Sequence, residues 1–130
     1  MAGAAREGLD KDGGVWYEYD NAKQHLVNEK HWWVQAEAMV GFFNAWQLTG
    51  DETYFFDSIN NWQFVKNQII NNDTGEWIWG VKENNALMYD QDKVGIWKCP
   101  YHNSRACIEI VKRIKKMSAS SIKASAASFS

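Results

Sequence analysis

The stretch WKCPYHNSR, residues 97–105, sets an indole, an ammonium, a thiol, a phenol, an imidazole and a guanidinium within nine positions. His102 is the group among them suited to moving a proton near neutral pH. It follows Pro100 at a loop-to-helix junction. A helix N-terminus disfavours a further positive charge there, so a neutral ring would be available as a base. Trp97, five residues earlier, offers a stacking face, and Lys98 and Arg105 offer fixed charge. These residue types leave two roles open for His102: proton transfer, or a satisfied polar group beside an aromatic core.

The other polar candidates are weaker. His25 lies in the polar loop NAKQHLVNEK, where an exposed histidine is expected, and His31, beside Trp32 and Trp33, reads as packing. Glu37 falls one turn after Trp33 and could face a cavity, but no second carboxylate pairs with it convincingly. Asp90, Asp92 and Glu76 sit in loops and read as solvated. DKDGG at residues 10–14 weakly echoes a calcium loop, yet its closing position is Asn21 rather than an acid. No metal-ligand cluster and no phosphate-cradling glycine loop is present in the sequence.

Composition narrows the class. A net charge of −2 gives no electrostatic case for nucleic acid or for an acidic membrane surface. No apolar run approaches the ~20 residues of a membrane span, and MAGAAREGLD lacks a signal-peptide core. Cys99 and Cys107 form neither a CxxC pair nor a disulfide framework, which suits reduced thiols in a cytoplasmic protein. The anomaly is eight tryptophans in 130 residues, more than a core of this size needs. Indole faces suit the C–H faces of sugars, and they also serve as bulk core.

Three helices must position these groups. His31–Thr49 carries apolar residues around nearly its whole circumference and is expected to be buried on most sides. Gly50 can close it and Asp51 can cap the next helix, whose stripe is Phe55, Ile59, Trp62, Val65 and Ile69. Asp57, Asn60, Asn61, Gln63 and Asn67 lie mostly off that stripe, as in an outer helix solvated on one face. A third helix is expected over 103–116, with Cys107, Ile110, Val111 and Ile114 as its stripe and cations at its end. Residues 117–130, low in complexity, read as a disordered tail.

GGVWYEYD and GEWIWGV read as short strands or hairpins between the helices. They also mark a repeat. Trp16 and Trp77 stand 61 residues apart, each after a glycine-led turn. Each unit comprises a hairpin, an inner helix and an outer helix, which implies a toroid or solenoid of αα hairpins. Residues 1–12 read as an extension ahead of the repeats, and residues 13–116 as one portion of a larger domain.

KHWWVQAEAMVGFFNAWQLTGD, GEWIWGV and DKVGIWKCPYHNSRACIEIVKRI closely resemble the C-terminal part of the cellobiose branch of the N-acylglucosamine 2-epimerase superfamily. The likeness runs from about Gly13 to Ile114, and PYHN leans toward the cellobiose rather than the N-acylglucosamine branch. It implies an all-α fold, a fragment of an (α/α)6 barrel with short β-hairpins between helices. It also implies epimerisation at C2 of a reducing-end sugar, glucose to mannose in β-1,4-linked disaccharides, with no redox cofactor and no metal. By motif match His102 becomes one of two proton-transfer histidines, and Trp97 and Trp33 become sugar contacts. The partner histidine belongs to a His-x-x-Glu motif that this sequence lacks, and neither His25 nor His31 matches it. The chain is therefore expected to need the barrel's N-terminal part and to be inactive alone. Two other readings remain: a tryptophan-rich carbohydrate-binding module with a passive His102, and a glycosidase of the same architecture, which would need a carboxylate pair.

Overall fold

The computed structural model describes residues 2–127. It is built on an antiparallel helix hairpin, α2 (Trp32–Thr49) and α3 (Glu52–Phe64), with a third helix, α4 (Tyr101–Ala127), alongside α2. Gly50 takes a left-handed conformation at φ 73° and returns its N–H to Trp46 O, closing α2. Asp51 then accepts from the Thr53 N–H and opens α3. The same chain reversal brings Phe55 against Trp46, with ring centroids 4.6 Å apart.

The two helices meet through polar as well as apolar groups. Ser58 Oγ donates to Met39 O at 2.9 Å, and Asn61 Nδ2 donates to Gln35 Oε1 at 3.0 Å and to Gly13 O at 2.9 Å. Asn61, expected on the solvated side, is fully buried, whereas Ile59 and Phe56 are exposed. Hydrophobic spacing locates the stripe but cannot reveal that a buried amide has partners from two distant segments. Gln35 completes the set by accepting from the Val15 N–H and donating to Val15 O, so the Gln35 amide is paired at both ends as burial requires, whereas Asn61 bonds through its Nδ2 alone. Beyond Phe64 the helix widens into a π turn, Val65–Ile69, with Ile70 N–H reaching Val65 O.

Four short strands cover the N-terminal end of α2. β1 (Glu18–Asp20) pairs antiparallel with β2 (His25–Val27), and β3 (Glu29–His31) pairs antiparallel with β4 (Gly80–Lys82). The second pair ties the two repeat units together directly ahead of α2. The main core gathers Trp32, Ala36, Met39, Val40, Phe64, Val65, Ile69, Trp77, Val81 and Ala106. Each large side chain deleted from such a core costs about 3–5 kcal/mol.

Contacts between α2 and α4 run in register along both helices. Glu37 meets His102 and Arg105 near their N-terminal ends, and Asn44 and Gln47 meet Arg113 further along. The two inner helices are therefore parallel, each with its N-terminus at the strand end, as a repeat of αα hairpins requires.

Two boundaries differ from those read in the sequence. Of the expected extension over residues 1–12, the described residues 2–12 are not set apart from the domain. Helix α1 (Ala2–Glu7) packs on α2, and Asp10 and Asp12 close on the Lys30 ammonium at 2.6 and 2.8 Å. Lys30 is 2% exposed, and its ammonium also lies 4.2 Å from the Trp16 ring centroid. The DKDGG carboxylates are thus engaged by an internal cation. Gly13, at φ 88°, lies so close to α3 that a Cβ would come within 2.5 Å of Asn60 O, which accounts for a glycine there.

At the other end, α4 starts at Tyr101 and continues to Ala127 rather than stopping at Lys116. The segment read as a disordered tail is therefore helical through Ala127, and residues 128–130 lie outside the described residues. Alanine is the strongest helix former. Ser118 and Ser120 turn their hydroxyls back to Ile114 O and Lys116 O, so the serines do not compete with the helix.

Candidate functional site

The N-terminal turns of α2 and α4 bring four side chains together. Trp33 and Glu37, four apart, share one side of α2. His102 and Arg105, three apart, share one side of α4. His102 Nδ1 lies 2.9 Å from Glu37 Oε1, and Arg105 Nη2 donates to Glu37 Oε2. The His102 ring also rests against Trp33, with centroids 5.9 Å apart.

The charge state of Glu37 follows from these contacts. Burial pushes its carboxyl up, but hydrogen bonds from Arg105 and His102 outweigh that and leave it below the ordinary carboxylate range. An ionised carboxylate can only accept, so Nδ1 of His102 carries the hydrogen toward Glu37. In the neutral ring that tautomer leaves the lone pair on Nε2, which has no partner among the described residues. The arrangement can take a proton at Nε2 while Glu37 balances the imidazolium that forms. Arg105 holds Glu37 by its other oxygen.

Trp33 and Glu37 also line an open groove of about 820 Å³, whose far wall includes Trp16, Tyr17, Tyr19 and Leu26. Trp32, its neighbour, is 2% exposed within the core. The adjacent indoles therefore divide between core and groove. His31 is packing: it stacks on Tyr17 with centroids 4.2 Å apart and meets Glu29 at 2.7 Å.

Trp97 is not brought to this group. It is 82% exposed on the loop before α4 and has no ring contact among the described residues. The sequence places Glu37 one turn after Trp33, able to face a cavity, but does not mark it as the partner of His102. The usable signal was the i,i+4 pair Trp33/Glu37 facing the i,i+3 pair His102/Arg105 on two inner helices.

Among the described residues no group of three His, Cys, Asp or Glu side chains could hold a metal ion. No helix of the described chain is long and apolar enough to cross a membrane.

The family model of N-acylglucosamine 2-epimerase (GlcNAc 2-epimerase) matches residues 1–106. The chain belongs to this family. The match takes in the first twelve residues and the whole Glu37–His102–Arg105 group. Among relatives of this N-acylglucosamine 2-epimerase family member, the cellobiose 2-epimerase of Bacteroides fragilis is 44% identical over 111 residues, 85% of this chain. A D-mannose isomerase of Marinomonas mediterranea is 35% identical over 104 residues, 80% of this chain. The solved cellobiose 2-epimerase of Spirochaeta thermophila superposes on 89% of the chain with a TM-score of 0.81 at 33% identity. The chain spans 28% of the Bacteroides relative's length, 26% of the Marinomonas relative's and 29% of the Spirochaeta chain. Its mostly helical fold is a portion of the α/α barrel of these structures.

Proposed function

We propose that this chain supplies one half of the proton-transfer machinery of a sugar 2-epimerase of the cellobiose type. The observation that carries the reading is the Glu37–His102 hydrogen bond, which orients a base with a free Nε2 beside the Trp33 indole.

The chemistry starts from the open-chain aldose, whose C2 hydrogen is acidified by the neighbouring aldehyde. His102 Nε2 takes that proton, the C2–H electron pair moves into a C1–C2 double bond, and the carbonyl oxygen becomes an enediolate. Return of a proton to the opposite face of C2 inverts it. General acid–base catalysis of this kind contributes about 10²–10⁴-fold. Glu37 and Arg105 keep the ring oriented through both halves of the cycle, and Trp33 stacks on a sugar face. The second face of C2 requires a second histidine, which the sequence does not carry in the His-x-x-Glu form. The substrate is a β-1,4-linked disaccharide such as cellobiose, handled in the cytoplasm without a redox cofactor.

The likeness to a D-mannose isomerase favours a second reading in which the same enediolate is reprotonated at C1, giving a ketose. Both products arise from one intermediate, so one experiment separates them. The chain is mixed with cellobiose or mannose in D₂O, alone and with the upstream portion of a related barrel. We expect no reaction from the chain alone and C2 deuteration with epimer formation from the reconstituted barrel. A ketose product selects the isomerase. Unchanged sugar with a reconstituted, folded barrel would remove both readings and leave a carbohydrate-binding module.

A further inference from the structure

The groove lined by Trp33 and Glu37, at about 820 Å³, is larger than one sugar ring fills. Its aromatic walls beyond Trp33 are Trp16, Tyr17 and Tyr19, and they are not equally free to meet a ligand. The Lys30 ammonium lies 4.2 Å from the Trp16 ring centroid. Tyr19 donates its hydroxyl to Gln24 Oε1 at 3.3 Å. Tyr17 is 37% exposed, and its hydroxyl has no partner among the described residues. The rest of the residue is held in place. Its backbone N–H donates to Glu29 O at 2.8 Å, and its ring stacks on buried His31 with centroids 4.2 Å apart. His31 is itself fixed, with Nε2 at 2.7 Å from Glu29 Oε2. The Tyr17 ring also stands nearly perpendicular to Trp33, at 87° and 6.2 Å between centroids. A fixed aromatic ring with an unused hydroxyl suits a polyhydroxylated ligand, whose C–H faces meet rings and whose hydroxyls both donate and accept.

We propose that Tyr17 is a specificity-determining residue of the sugar site, where it binds the second ring of a β-1,4-linked disaccharide. This rests on the epimerase reading, which puts C2 of the reducing-end unit at His102 and a sugar face on Trp33. His102 and Tyr17 each adjoin Trp33, at 5.9 and 6.2 Å between centroids, and make no ring contact with one another among the described residues. A unit seated on Trp33 with C2 at His102 carries its 4-linkage two carbons further along the chain. The second ring therefore continues past Trp33 along the groove wall, where Tyr17 is the residue in ring contact with Trp33. A monosaccharide ends short of that wall. Tyr17 then separates disaccharide from monosaccharide without touching the reacting carbon, through a hydrogen bond that only the longer sugar can make.

The test is sugar binding by the full chain, read without turnover. With 3-fluorotyrosine in place of tyrosine, the five tyrosines give five fluorine NMR signals, and that of Tyr17 is the one lost in Tyr17→Phe. Cellobiose and glucose are titrated separately. Affinities are taken from the Trp33 indole N–H signal, assigned by its loss in Trp33→Phe. We expect a Tyr17 fluorine shift that saturates with cellobiose and is absent with glucose. Tyr17→Phe keeps the stack on His31 and removes only the hydroxyl, so it should weaken cellobiose about 3- to 10-fold and glucose less than about 2-fold. Equal weakening of both sugars would make Tyr17 a contact of the first ring or a support of the fold, and would overturn the proposal. So would a Tyr17→Phe chain with the parent's affinity for cellobiose, or a parent whose Tyr17 signal does not move with cellobiose. Failure of the epimerase reading looks different: the reconstituted barrel would leave C2 undeuterated while the preference for cellobiose in binding remained.

Discussion

Glu37 and His102, 65 residues apart in sequence, meet at 2.9 Å across two parallel inner helices. Because Arg105 holds the second oxygen of the same carboxylate, Glu37 has one orientation in which both contacts are made. That makes Glu37 a positioning residue for the His102 ring.

Glu37→Gln therefore should lower kcat about 10²–10⁴-fold in a complete barrel carrying this segment, with KM little changed. The amide can donate to Nδ1 and so permits the wrong tautomer. Nitrogen chemical shifts of the imidazole check the cause directly: the hydrogen should sit on Nδ1 in the parent and be shared or moved to Nε2 in the variant. A parent ring already protonated on Nε2 alone would refute the assignment.

Acid should loosen the same contact. The Glu37 carboxyl titrates below its ordinary value of 4.5 in the folded chain, because the hydrogen bonds from Arg105 and His102 outweigh burial. An unfolded chain then binds more protons than the folded one as the pH falls through that range, so stability declines. The contribution is fully present above the unfolded value and is lost as pH drops through the folded one. Melting temperature measured from pH 6 to pH 3 should fall less steeply in Glu37→Gln than in the parent. Since Glu37 is more than a third exposed, solvent screening keeps the difference small.

Lys30 presents the opposite balance, a buried cation with two carboxylates. Lys30→Met should destabilise the chain by about 3 kcal/mol, because Asp10 and Asp12 would face each other without a counter-charge. Adding Asp10→Asn and Asp12→Asn to that variant should recover part of the loss. Urea unfolding of the three chains checks it, and a triple variant less stable than Lys30→Met would contradict the electrostatic cause.

Local signals in the sequence placed the helix hairpin closely, because Gly50 and Asp51 act on their own neighbours and need no tertiary partner. The repeat of Trp16 and Trp77 likewise announced stacked helix pairs. What the sequence hid depends on contacts between distant segments. Asn61 looks solvated until Gly13 and Gln35 are brought to it. Asp10 and Asp12 look like loop charges until Lys30 arrives, and the serines after Met117 look disordered until α4 is already formed to accept them. His102 stood out by residue type alone, but the carboxylate that orients it lies on a different helix and carries no local mark.

The two tryptophans proposed as sugar contacts start from different positions. Trp33 already stands against His102 and lines the groove, so Trp33→Ala should raise KM about 2- to 10-fold in a complete barrel and leave kcat nearly intact. Trp97 is exposed on its loop. If it contacts sugar, the loop must fold toward Trp33 when substrate binds. Its emission should then shift to the blue and become shielded from acrylamide when cellobiose is added, a change absent in Trp97→Phe. In this case Trp97→Ala would weaken binding as Trp33→Ala does, because both indoles stack equally on ground state and transition state. Emission that stays red and fully quenchable with saturating cellobiose would remove Trp97 from the substrate site and leave Trp33 as this chain's aromatic platform.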